Sequence, residues 1–230
     1  MVGTIKDLRD RDMFFSTDAD ILKYEAVLFS DLYFPWQVLC EGIDGELSGT
    51  GFSSQSQNFV SSGVQAGGVI YLRSDDGVID GCFEIVSVDS SSELTVSVLR
   101  ADRDGPAIAP PTGGSGISFR ASTFGPQGSE VLFELTRYFG IRPGNPDSDY
   151  GIEDVVDTKV LRQASVYAVI AGVYATLGSR TGDEEFWKRS LYYQKLFEKA
   201  KEGCRVSIDI DGDGTTEITR PGDSIKLLRE

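Results

Sequence analysis

Three aspartates at alternate positions, Asp209, Asp211 and Asp213, stand in the stretch SIDIDGDGTTEITR at residues 207–220. Carboxylates at that spacing could serve as oxygen ligands for a hard divalent cation. A calcium loop of the helix-flanked kind draws its ligands from positions 1, 3, 5, 7, 9 and 12, with glycine at 6 and a bidentate glutamate at 12. Counted from Asp209, the three acids and Gly214 fall in place, but position 12 is Arg220, a cation where the strongest carboxylate belongs. The flanks VSIDI and TTEIT alternate like strands and not like helices. Asp-Gly pairs readily supply the positive φ of a chain reversal, so Asp211-Gly212-Asp213-Gly214 also reads as the turn of a β-hairpin. The hairpin accounts for more of the pattern. Three carboxylates without the closing glutamate would hold calcium weakly, and whether they hold it stays open; no cofactor is assigned.

The remaining chemical candidates are weaker. The chain has no histidine, which removes the usual proton shuttle near neutral pH and the commonest metal ligand. Serines are abundant without a histidine base, and the glycine-rich segments lack the lysine of a phosphate-binding loop. The pairs Asp75-Asp76 and Glu184-Glu185 are better explained by solvation and by the dipole at a helix start than by acid–base work. Cys40, Cys82 and Cys204 are odd in number and far apart, which indicates neither a disulfide framework nor a metal site and suits a reducing compartment. No catalytic constellation emerges, and the expectation is a protein that is not an enzyme.

Composition sets the frame for those residues. In 230 residues, 40% of them apolar, 22 basic and 36 acidic side chains leave a formal charge of −14. That charge repels nucleic acid and anionic membranes unless cations are locally concentrated, and the sequence shows no such run. The start, MVGTIKDLRDRDMFF, lacks an apolar segment after its charges and does not read as a signal peptide. The most apolar run, Ala164 to Leu177, is shorter than the roughly 20 residues that span a bilayer, and reads as a buried helix.

The elements that must position these residues follow from periodicity. From Thr17, the stretch TDADILKYEAVLFSDLYF has helical spacing, with Thr17 or Asp18 as N-cap and Pro35 as the stop. Between Glu41 and Gln127 short alternating runs take over: Val69–Arg73, Cys82–Val88, Leu94–Val98 and Ile117–Thr123, separated by turns at Asp75-Asp76-Gly77 and after Asp89. Their spacing predicts a small barrel or sandwich. Residues 102–116 read as an exposed Pro/Gly-rich connector. Helical patterns return at Ser129–Phe139 with Gly140 as cap, at Thr158–Leu177, and from the Thr181-x-x-Glu184 capping box to Gly203. The aromatics Phe186, Trp187, Tyr192, Tyr193 and Phe197 on that last helix read as core or subunit interface.

The expected fold is α+β: a helical body in residues 1–40 and 128–203, an inserted small antiparallel β barrel or sandwich in 41–127, and a C-terminal β-hairpin with an arm in 204–230. The order of parts at the C-terminus (LRQASVYAVIAGVYATL, FWKRSLYYQKLFEKA, a hairpin on DIDGDG, the tail PGDSIKLLRE), together with YEAVLF, VSVDSSSELTVSVLR and STFGPQ, resembles the head–tail adaptor, or connector, proteins of tailed bacteriophages. The β insertion departs from their all-helical minimal form. The resemblance implies a structural virion protein, made in the host cytoplasm and placed at the neck of the virion. It implies a homo-oligomeric ring, twelve copies in such adaptors, that docks under the portal protein, extends the DNA channel and offers a surface to a tail or stopper protein. DNA would pass an acid-lined lumen without specific binding, and no membrane is involved. By the same resemblance Ile225, Lys226, Leu227, Leu228 and Arg229 would contact the portal. The alternative reading is a calcium-assisted binding module for a carbohydrate or protein ligand, using the β domain and Asp209–Asp213.

Overall fold

The computed structural model describes residues 14–222. The chain belongs to the α+β class, with a closed six-stranded antiparallel barrel, a set of helices and a separate two-stranded hairpin. The first helical stretch is broken where one helix was expected. Thr17 caps α1 (Asp18–Leu22) in a capping box with Asp20, the chain opens at residues 23–26, and α2 (Val27–Ser30) follows. Glu25 lies in the gap, and its carboxylate accepts hydrogen bonds from Tyr174 and Tyr193 at 2.8 Å each. A tertiary partner thus takes a residue that the periodicity assigns to a helix. Pro35 opens a 3₁₀ turn that leads into the barrel.

The barrel uses β1 (Val38–Ser48), β2 (Gly51–Ser53), β3 (Val69–Arg73), β4 (Asp80–Val88), β5 (Glu93–Ser97) and β6 (Gly114–Ser122), in the order β1-β2-β5-β4-β3-β6. Four of these strands alternate clearly in sequence. The longest, β1, does not, because irregular pairing at Gly42 and Gly45 interrupts the two-residue period against β6. Its interior is packed by Phe52, Phe59 and Phe119 with Ile70, Leu72 and Ile117. Closure leaves no unpaired edge strand. Within the wall, Glu84 and Arg100 form a buried two-pronged ion pair at 2.8 and 3.2 Å, which fixes the start of the 98–113 connector.

The helices share a second core. In α3 (Gly125–Phe139) the residues Val131, Leu132, Leu135 and Phe139 are buried, and Gly140 ends the helix. The helix starts earlier than its apolar stripe suggests, with Pro126 in its first turn, where a missing N–H does no harm. α4 (Arg162–Thr181), preceded by a 3₁₀ turn at Thr158–Leu161, is packed among α1, α3 and α5. Together the turn and helix are long and apolar enough to cross a membrane by length and composition, yet more than half of the segment is buried inside the protein. The expected capping box at Thr181 does not form. α4 continues through that residue, whose hydroxyl bonds back to Leu177 O at 2.8 Å, and Asp183 caps α5 (Glu184–Gly203) instead.

Barrel and helices are tied along one seam. Arg120 on β6 donates to Phe29 O and Ser30 O, Ala19 N donates to Gly67 O, and Phe124 N donates to Asp18. Burial pushes the Asp18 carboxyl up to about 6, against the lowering effect of that backbone donor. A cavity of about 60 Å³ lies along this seam, room for a few waters and not for a ligand.

Candidate functional site

The hairpin formed by β7 (Arg205–Ile208) and β8 (Ile218–Pro221) carries the aspartates singled out above. The reversal is not a tight Asp-Gly turn. It is a loop over residues 209–217 in which Gly212 and Gly214 take positive φ, a conformation open to glycine at little strain. Asp209 organises it by accepting from Gly212 N at 2.7 Å and Gly214 N at 2.8 Å. Asp213 accepts from the Thr215 backbone at 2.7 Å and from its hydroxyl, which hold its carboxyl below the usual range. The hairpin's root packs on the body through Val155, paired with Ile208, and through Asp209 N to Asp154 O.

This loop brings in a fourth acid that sequence reasoning missed. Ligand oxygens of Asp209, Asp211, Asp213 and Glu217 all lie within 4.8 Å of one another. The sequence carries the signal, since Glu217 occupies position 9 of the same count. The donor set suits calcium chemically: four hard carboxylates, three of them exposed, each with an oxygen lone pair beyond its backbone contacts. Arg220 points elsewhere, with its guanidinium over the Tyr150 ring and bonded to the Tyr150 hydroxyl.

The other expected site, Ile225, Lys226, Leu227, Leu228 and Arg229, lies outside the described residues. The preceding Gly222 is anchored to the body, its N–H donating to Cys204 O at 2.8 Å. Asp76 folds into its own turn, accepting from Ser74 and Val78 N. Glu184 and Glu185 open α5.

The aromatic helix α5 divides its large side chains between two faces. Tyr193 and Phe197 are buried against α4, Phe186 is half-buried, and Ser190 donates to Ala171 O at 2.9 Å. Leu191 and Tyr192 remain 55 and 59% exposed, and Trp187, at the edge of the α4 contact, remains 43% exposed. Gly178 lets α4 approach the Trp187 ring closely; a Cβ there would sit 3.1 Å from it. Arg189 joins Glu25 and Tyr174 in one hydrogen-bonded group, which fixes α5 onto α4.

Although the sequence holds no run of cations, the fold gathers Lys23, Lys159, Arg162, Lys199 and Arg205 along one side of the helical body, with Asp20 beside Lys23. Neither a family model, nor a curated protein, nor a solved structure matches the chain.

Proposed function

We propose that the protein is a structural head–tail adaptor that acts by assembly and not by chemistry: copies form a ring under a portal, prolong the DNA channel and present the tail attachment surface. The observation that carries this reading is the α4–α5 pair running directly into the hairpin. Its second helix leaves Leu191, Tyr192 and the outer part of Trp187 to solvent beside the side chains it packs on α4. Exposed aromatic and aliphatic side chains on a rigid helix are what a subunit interface is made from. The β barrel, closed on itself, is an appended module on that body, and Ile225–Arg229 supply the portal contact. The test is capture of the purified protein by a portal ring from a candidate phage. The full chain binds and a chain ended after Gly222 does not; equal capture of both would remove the arm from the account, and no capture of either would remove the portal.

A second reading is supported by the four converging carboxylates: a calcium-assisted binding module whose hairpin loop takes the ion. Calorimetric titration with calcium decides it. A stoichiometric heat that Asp211→Asn abolishes favours the module, and a flat trace excludes it.

A further inference from the structure

The cations that the fold collects form a continuous groove. Two adjoining depressions of about 680 and 340 Å³ share Val160 and Gln163. Lys199 and Arg205 line the first, and Lys23, Lys159 and Arg162 line the second. All five residues are exposed, although the Lys23 side chain itself is only 26% exposed. Lys23 pairs with Asp20 at 3.6 Å, and the other four form no ion pair among the described residues. Val160, Tyr167 and Leu196 give the larger depression an apolar floor. On a chain of net charge −14, this strip is a local reversal of sign, and uncompensated cations so close together favour an anionic partner.

The same chain carries a complement. Asp209, Asp211, Asp213 and Glu217 crowd the tip of the hairpin, with Ile210 beside them 53% exposed. Strand β7 starts at Arg205, in the groove, and ends at Ile208, next to the tip. The three steps from Arg205 to Ile208 span about 10 Å, and pairing with β8 keeps that stretch extended. The tip is therefore held away from its own groove. A contact between them joins two copies through different surfaces, head to tail, the kind of interface that closes into a ring when the rotation permits.

From this we infer that the acidic hairpin tip of one copy seats in the Lys159–Arg162–Lys199–Arg205 groove of the next, with Ile210 on the apolar floor. The inference rests on the self-assembly part of the reading above and adds the surfaces that do it. Charge reversal tests it at exposed residues, of which Asp211 alone has a loop contact to lose, accepting from Asp213 N at 3.2 Å. Lys199→Glu with Arg205→Glu removes most of the groove's positive charge; Asp211→Lys with Thr216→Lys removes most of the tip's negative charge. By sedimentation equilibrium, each double variant associates about tenfold more weakly than the wild type or worse. An equimolar mixture regains association, since the unaltered tip of one variant then meets the unaltered groove of the other. Circular dichroism shows both folded. Carbodiimide coupling of mixed ¹⁴N and ¹⁵N wild-type chains links Lys199 of one to Asp211 or Asp213 of another, even where association is weak. The inference is overturned if either variant associates like the wild type, if the mixture regains nothing, or if no such link forms. Duplex DNA retained by the wild type and released by the groove variant would likewise overturn it and assign the groove to nucleic acid. If both variants still assemble on a portal, the ring reading stands and only these surfaces fail.

Discussion

The barrel and the helical body solve the same problem of burial in opposite ways. Every barrel strand has two neighbours, and the buried ion pair Glu84–Arg100 answers itself inside the wall. The helical body encloses most of α4 but leaves Leu191, Tyr192 and part of Trp187 outward on α5, and four cations of the nearby groove form no ion pair among the described residues. The barrel region too turns Ile43, Val60, Val78 and Ile108 to solvent, so exposure alone does not decide which region meets a partner. In the assembly proposed above, contacts between copies belong to the body and hairpin, and substitutions in the barrel interior should be felt in stability alone.

The largest effect should come from the barrel interior. Phe52→Ala removes a fully buried ring that packs against Phe59 and Phe119, and large-to-small changes of this kind cost about 3–5 kcal/mol. Guanidinium unfolding measures it, and the folded variant should associate as the wild type does. A loss of association at constant fold would break the division of labour.

Removing one partner of the wall's ion pair comes next. Arg100→Met leaves Glu84 buried with no cation, a change that costs about 3 kcal/mol or somewhat more. Replacing both partners by apolar residues of similar size should recover most of that loss, by the same unfolding assay.

A smaller effect sits at the seam between the two regions. The folded-state Asp18 carboxyl titrates near 6, above its ordinary 3.8, so folding favours the protonated form. Its contribution is fully present below the unfolded value and is lost as pH rises through about 6. Asp18→Asn keeps an oxygen for Phe124 N and carries no charge. It should be more stable than the wild type at pH 8 by about 1–3 kcal/mol, and the gap should close by pH 4. Urea midpoints across that range check the sign; a gap that widens on acidification would contradict it.

The smallest change in stability, and the sharpest in assembly, is expected on α5. Leu191→Ser, at a position 55% exposed, should shift stability within about 0.5 kcal/mol while weakening self-association measurably in light scattering. Unchanged association would move the interface off this face.

How far the sequence disclosed this arrangement depended on whether local pattern or distant contact decides each element. β3 to β6, α3 and α4 announce themselves through period and punctuation, because their buried faces repeat regularly. β1 is hidden by Gly42 and Gly45, which break its alternation to admit bulges against β6. The gap between α1 and α2 is hidden because Glu25 answers to Tyr174 and Tyr193, far along the chain. Glu217 was within reach of a positional count. The basic groove was not, since Lys23, Arg162 and Arg205 meet only through the packing of α1, α4 and the hairpin.

Cryo-electron microscopy of the protein assembled on a portal decides whether the body and hairpin make the contacts while the barrel stays apart. The expected image is a ring in which Trp187, Leu191 and the 209–217 loop are buried between neighbouring copies and the barrels project from it. A ring closed barrel to barrel, with α5 left facing solvent, would contradict it.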